Sequence, residues 1–93
     1  MSTVKLNIHI AGIMSYELIQ VRMCARELKA KYPDTIGEVT EQVFFRDPWT
    51  HFLSQLQQEK KGDFMKHHGH LIVYLNDDQY LGGANNFLEW ALQ

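Results

Sequence analysis

The chain has 93 residues, 45% hydrophobic and 22% charged, with a formal net charge of -2 and one cysteine, Cys24. That length accommodates a single domain over residues 1–93, large enough to bury roughly 60–65% of its unfolded surface without cross-links. Lys and Arg are scattered apart from the pair Lys60-Lys61, so a nucleic-acid partner is not expected, and a lone cysteine excludes an internal disulfide or a Cys-x-x-Cys pair.

Val4, Leu6, Ile8 and Ile10 alternate with Lys5, Asn7 and His9, the period of a strand with one apolar face, and Ala11-Gly12 is expected to end it. The opening residues pass straight into this alternation with no charged and then apolar leader, and no apolar run reaches membrane-spanning length. An intracellular protein with no membrane partner is expected. From Tyr16 the period becomes helical, with Leu18, Val21, Cys24, Ala25, Leu28 and Tyr32 on one stripe, Ser15 as cap and Pro33-Asp34 as the stop. Glu38 to Phe45 is β-branched and aromatic but interrupted by charge, which predicts a strand at or near a sheet edge. Two strands flanking a helix form a βαβ unit, which favours parallel pairing.

Arg46-Asp47-Pro48-Trp49 reads as a helix start, with Asp47 as cap and Pro48 at the first helical position. Trp49, Phe52, Leu53 and Leu56 form its apolar stripe, and Gly62 is the expected terminator. Asp63 to His70 has no clean period and reads as a loop. Leu71 to Leu75 then forms an apolar run, followed by a polar turn, a second short run, Gly82-Gly83 and a helical pattern to Ala91: strand, hairpin, strand, tight turn, helix. The summed order is β-α-β-α-β-β-α, an α/β domain with a mixed four-stranded sheet and helices on both faces.

Tyr80-Leu81-Gly82-Gly83-Ala84-Asn85-Asn86-Phe87-Leu88 resembles the end of glutaredoxins, where a hairpin strand runs into a Gly-Gly turn, an acidic pair and a terminal helix. The element order is similar to that family along nearly the whole chain. A nearer resemblance is to the glutaredoxin-like N-terminal domain of the atypical malate dehydrogenase 1B-type paralogues of ciliated lineages. It is carried by Ile10-Ala11-Gly12, the spacing of Trp49 and Leu53, Leu81-Gly82-Gly83 with Asn85, and Phe87-Leu88-Glu89 with Ala91. The resemblance implies a thioredoxin-like fold and locates the former active-site positions. The family's thiolate belongs at the start of the first helix, where this chain has Met14 or Ser15, and serine cannot exchange disulfides. The family's cis-proline belongs before the third strand, where the matching stretch His70-Leu71-Ile72-Val73 places Ile72. Ala84-Asn85-Asn86 keeps the exposed amide groups of the turn without the acidic charge.

These departures predict a non-catalytic domain with no cofactor, acting as a structural or adaptor subunit with protein partners in a larger assembly. The ciliary paralogues extend that expectation to an axonemal or microtubule-associated setting. The alternative is a thiol-redox or glutathione-binding protein that uses Cys24 and the Gly82-Gly83 turn, with Asn85 and Asn86 beside it. Cys24 sits in an apolar stripe, so a core role is favoured over a redox one. His67, His68 and His70 cluster in the loop, but a solvated surface or a partner contact is favoured over a metal site, which usually needs four ligands. His9 is read as a hydrogen-bonded structural residue and Trp49 as core, while Trp90 suits either core packing or a partner contact.

Overall fold

A computed structural model describes residues 5–67, 69–76 and 79–92. Its elements are β1 (Leu6–Ile13), α1 (Tyr16–Lys31), β2 (Ile36–Phe44), α2 (Arg46–Lys60), a 3-10 turn (Gly62–Lys66), β3 (Leu71–Leu75), β4 (Gln79–Gly82) and α3 (Ala84–Ala91). The strands form one sheet in the order β2-β1-β3-β4, with β1 parallel to β2, and β3 antiparallel to both β1 and β4. The expected element order, the mixed sheet and the edge position of β2 are all present. No helix among the described residues is long and apolar enough to cross a membrane.

Strand alternation divides the core in two. Ile8 and Ile10 of β1 point with Leu71, Val73 and Leu75 of β3 toward Leu18, Val21 and Ala25 of α1 and Phe87 of α3. Ala11 and Ile72 point the other way, toward Trp49 and Leu56 of α2 and Phe64 of the 3-10 turn. Because β1 and β3 are covered on both faces, β3 reads as an unbroken apolar run while the edge strand β2 reads as mixed. Trp49 is core, as its spacing predicts, and its indole Nε1 donates to the Gly69 carbonyl at 3.2 Å.

Two bulges shift the expected boundaries. Leu6 pairs with Ile36 but Ile8 with Val39, so β2 carries an extra residue and both Ile36 and Val39 face α1. The insertion is held by Asn7, whose Oδ1 accepts from the Glu38 amide at 2.9 Å. It also hides the period of β2, which begins two residues before the expected Glu38. On the other side Val73 pairs with Gly82 and Tyr74 with Tyr80, leaving Leu81 as the extra residue. Tyr80 packs toward α2 as a result, and Leu81 toward α1 and α3.

Three further expectations are corrected. β1 does not end at Ala11-Gly12 but continues to Ile13, because Gly12 stays paired with Val43 on one side and Leu71 on the other. Asp47 does not cap α2; the helix begins at Arg46 behind Phe45, which makes no side-chain cap bond, and Pro48 is the third helical residue, still within the first turn, where its missing amide is not needed. The Asp63–His70 stretch is not a plain loop, since it opens with the 3-10 turn that buries Phe64. His9 meets its expectation: its Nδ1 lies 2.6 Å from the Thr40 hydroxyl, and its ring stacks on Tyr74 at 4.8 Å.

Candidate functional site

Three segments converge at one end of the sheet. β1 runs through Gly12 and Ile13 into Met14, Ser15 and the start of α1. β3 begins beside it, where the Ile13 amide donates to the His70 carbonyl at 2.9 Å and Gly12 pairs with Leu71. β4 ends here too, because Gly82 pairs with Val73, and Gly83 leads into α3. Gly12 is required by this convergence: a Cβ there would lie 2.5 Å from the His70 carbonyl oxygen and 2.9 Å from Leu71 Cδ1.

At the centre stand the two positions that the glutaredoxin resemblance singles out. Ser15 is extended, and its Oγ accepts from the Leu18 amide at 3.2 Å, so the hydroxyl caps α1 as its position predicts. Met14 is exposed beside it. Cys24 lies nine residues beyond Ser15, roughly 13 Å along the helix axis by the rise per residue. It packs half-buried against the core between α1 and α3. Burial, and then the nearby Glu27 carboxylate, push its thiol above the ordinary value of 9.0. The helix start therefore holds no thiol, and the thiol present is held in its protonated, weakly nucleophilic form at neutral pH.

Ile72 does not stand before the third strand. It is the second residue of β3, opposite Ala11, and is wholly buried in the core beneath α2. The apolar run begins the strand at Leu71, so the residues that lead into it are Gly69 and His70. The described residues contain no cis peptide bond.

At Gly82 the backbone has φ +125°, a conformation that glycine adopts freely. A Cβ there would meet Asn86 Cγ and Oδ1 at 2.9 Å, so the Asn86 side chain rests directly over the turn. Gly83 is the N-cap of α3 and makes no side-chain cap bond, leaving the first amide groups of α3 without a side-chain acceptor. Asn85 is exposed next to them. The turn thus presents backbone donors with no charged side chain, and part of its space is filled by Asn86.

The histidine cluster is taken apart by the fold. His67 is not a surface residue: it is only 5% exposed, and its Nδ1 lies 2.6 Å from the Tyr80 hydroxyl. Gln57 of α2 fixes the segment by donating to the carbonyls of Phe64 at 2.9 Å and His67 at 3.0 Å. Burial, followed by Asp63, raises Tyr80 above its ordinary value of 10.0 and keeps the phenol neutral. His70 is exposed, and His68 lies outside the described residues. Among the described residues no three His, Cys, Asp or Glu side chains come together as a metal site would need.

Sequence reasoning missed a second concavity at the opposite end of the sheet. Leu6, Leu28, Tyr32, Thr35, Ile36, Trp90 and Ala91 line an open groove of about 310 Å³. Trp90 is half-buried there, with its ring 5.8 Å from Phe87, so it belongs both to the core edge and to the groove. The available signal was that Tyr32 and Trp90 both close amphipathic helices, yet only the packing of α1 on α3 brings them together.

Neither a protein-family model nor a curated protein sequence matches this chain.

Proposed function

We propose that the chain is a thioredoxin-fold, glutaredoxin-like domain that has no catalytic role and serves as a structural or adaptor subunit of a larger intracellular assembly. The fold part of this reading is supported by the strand order β2-β1-β3-β4, with a parallel βαβ half joined through antiparallel β3 to a ββα half. The observation that carries the functional part is Ser15. At the helix start where the resembling enzymes hold their thiolate, this chain has a hydroxyl bonded to the Leu18 amide, while its single thiol is half-buried farther along α1 and raised by burial. A helix N-terminus stabilises a thiolate but cannot give serine thiol-exchange chemistry. The resemblance to ciliary paralogues supports an axonemal or microtubule-associated setting for that assembly.

Affinity isolation of the tagged chain from a native lysate of the cells that express it tests the adaptor reading, with a stable multi-protein complex as the expected outcome. A solitary chain in that experiment refutes it. A glutathione-coupled disulfide-reduction assay is expected to show no turnover. Turnover lost in Cys24→Ala would overturn the non-catalytic reading.

A second reading, a small-anion or glutathione module, is favoured by the uncapped amide groups at the start of α3. Calorimetric titration with glutathione separates the two. Binding weakened by Gly83→Pro would support the module, because proline would alter the turn that presents those amides.

A further inference from the structure

The two edges of the sheet differ. β4 is four residues long and bulged at Leu81, features that discourage further pairing. β2 has nine residues, and beyond its own bulge residues 39–44 include no proline, glycine or lysine. Among the described residues no strand pairs with the outer side of β2.

The bonds of β1 fix which backbone groups of β2 point outward. The Ile13 amide donates to the His70 carbonyl and the Asn7 carbonyl accepts from the Asn76 amide, so odd-numbered residues of β1 face β3. The Leu6 amide donates to the Thr35 carbonyl, so even-numbered residues face β2. In a parallel pair such a residue bonds to the two neighbours of its partner, and Ile10 stands opposite Glu41. Thr40 and Gln42 therefore bond to β1. Val39, Glu41 and Val43 turn their amides and carbonyls outward, a half-ladder that another extended chain would complete.

The charges beside that half-ladder are unequal. The same three residues aim their side chains toward α1, where Val39 packs on the core and Glu41 meets Arg22 at 3.5 Å and Arg26 at 3.2 Å. Arg22, Arg26 and Lys29 recur at intervals of four and three along that flank of α1, and Lys29 shares a shallow hollow with Lys5, Gly37 and Glu38. Glu27 stands on the opposite flank, beside Cys24, and Asp34 lies in the turn before the bulged end of β2. Four cations thus face the carboxylates of Glu38 and Glu41, a local positive excess in a chain of net charge -2. On the α2 side the edge is uncharged, with Thr40 bonded to His9, Gln42 exposed and Phe44 packed on Trp49.

We propose that the outer edge of β2 receives an acidic, extended segment of another protein, which adds as a fifth strand with its carboxylates beneath α1. The carboxylates belong opposite Val39 and Val43, because one directly opposite Glu41 would meet a like charge. A second copy of the chain fits poorly: two-fold antiparallel pairing of β2 with β2 sets both α1 flanks on one face, with Arg22 and Arg26 of each copy turned toward those of the other. The edge is a property of the sheet, and the proposal does not rest on the adaptor reading.

Nuclear magnetic resonance of the 93-residue chain, titrated with the blocked peptide Thr-Glu-Val-Thr-Val-Glu-Thr up to about 5 mM, tests it. The expected result is that the amides of Val39, Glu41 and Val43 shift and exchange more slowly, while those of Gln42 and Phe44, already bonded to β1, change little. The peptide with both Glu replaced by Lys binds at least about tenfold more weakly. Val43→Pro abolishes binding with the circular dichroism spectrum unchanged, because it removes an outward amide hydrogen and leaves the ladder to β1 intact. Lys29→Glu weakens binding through charge alone. No change at the three outward amides overturns the proposal, as does equal binding of the two peptides. Protection of those amides that rises with the concentration of the chain itself, without peptide, overturns it in favour of a second copy.

Discussion

Replacing Tyr80 by Phe keeps an aromatic ring against Phe64 and His67, whose centroids lie 5.2 and 5.6 Å from that of Tyr80. It removes only the hydroxyl that lies 2.6 Å from His67 Nδ1. A neutral hydrogen bond contributes about 1 kcal/mol net, while taking a partner from a buried polar atom costs about 1–3 kcal/mol. Tyr80 is half-buried, so water can replace part of what is lost, and a destabilisation of about 1–2 kcal/mol is expected, or roughly 5–15 °C in melting temperature for a domain of this size. Urea unfolding followed by tryptophan fluorescence measures it, with Trp49 in one core and Trp90 at the edge of the other.

The pH dependence supplies a second readout of the same contact. The folded pKa of Tyr80 is raised, by burial first and by Asp63 second, above its ordinary value of 10.0. Between the unfolded and folded values the folded state binds more protons, so stability falls as pH rises. The contribution is complete below the ordinary value and is lost as pH climbs through the folded one. The margin of the wild-type chain over Tyr80→Phe should therefore narrow above pH 10. Two curves within about 0.3 kcal/mol of each other at neutral pH, or a margin unchanged on the alkaline side, would refute the assignment of this pair as a buried contact.

Ser15→Ala should cost about 1 kcal/mol in urea unfolding through loss of the α1 cap, and Ser15→Asp, which can still cap, should cost less. Gly12→Ala should cost about 2–3 kcal/mol, because the added methyl would lie 2.5 Å from a backbone oxygen of His70 and the strands must move apart; a variant as stable as the wild type would show that β1 and β3 do not approach as described. Cys24 should react slowly with iodoacetamide at neutral pH and faster as pH rises past 9.0, because burial and Glu27 hold the thiol protonated; rapid alkylation at pH 7 would contradict its place against the core.

The parts of the candidate site that sequence made legible are those set by neighbours along the chain. Ser15 as a cap depends on residues three apart, and the glycine at the β4–α3 turn depends on one backbone angle, so both could be read locally. His67 could not: in a segment without period it reads as surface, and only the docking of the 3-10 turn beneath β3 and β4 places it against Tyr80. Ile72 is the second residue of β3 and not the residue before it, for a similar reason. An apolar run announces a strand but not the residue at which pairing with β1 begins. Asn86 looks like an ordinary first-turn residue until α3 folds back and sets its side chain over Gly82.

Sequence by itself determined the order of elements, the amphipathic faces of α1 and α2, the exposed edge position of β2 and the absence of a thiol at the start of α1. These follow from side-chain period, capping chemistry and residue identity, which act over a few bonds. Tertiary structure alone decided the length of β1, the two bulges that redirect Val39 and Tyr80, the burial of His67, and the meeting of Ser15, His70 and Gly82 at one end of the sheet. Each of these depends on which backbone groups far apart in the chain satisfy one another, and a strand's partner, unlike its period, is not written in its own residues.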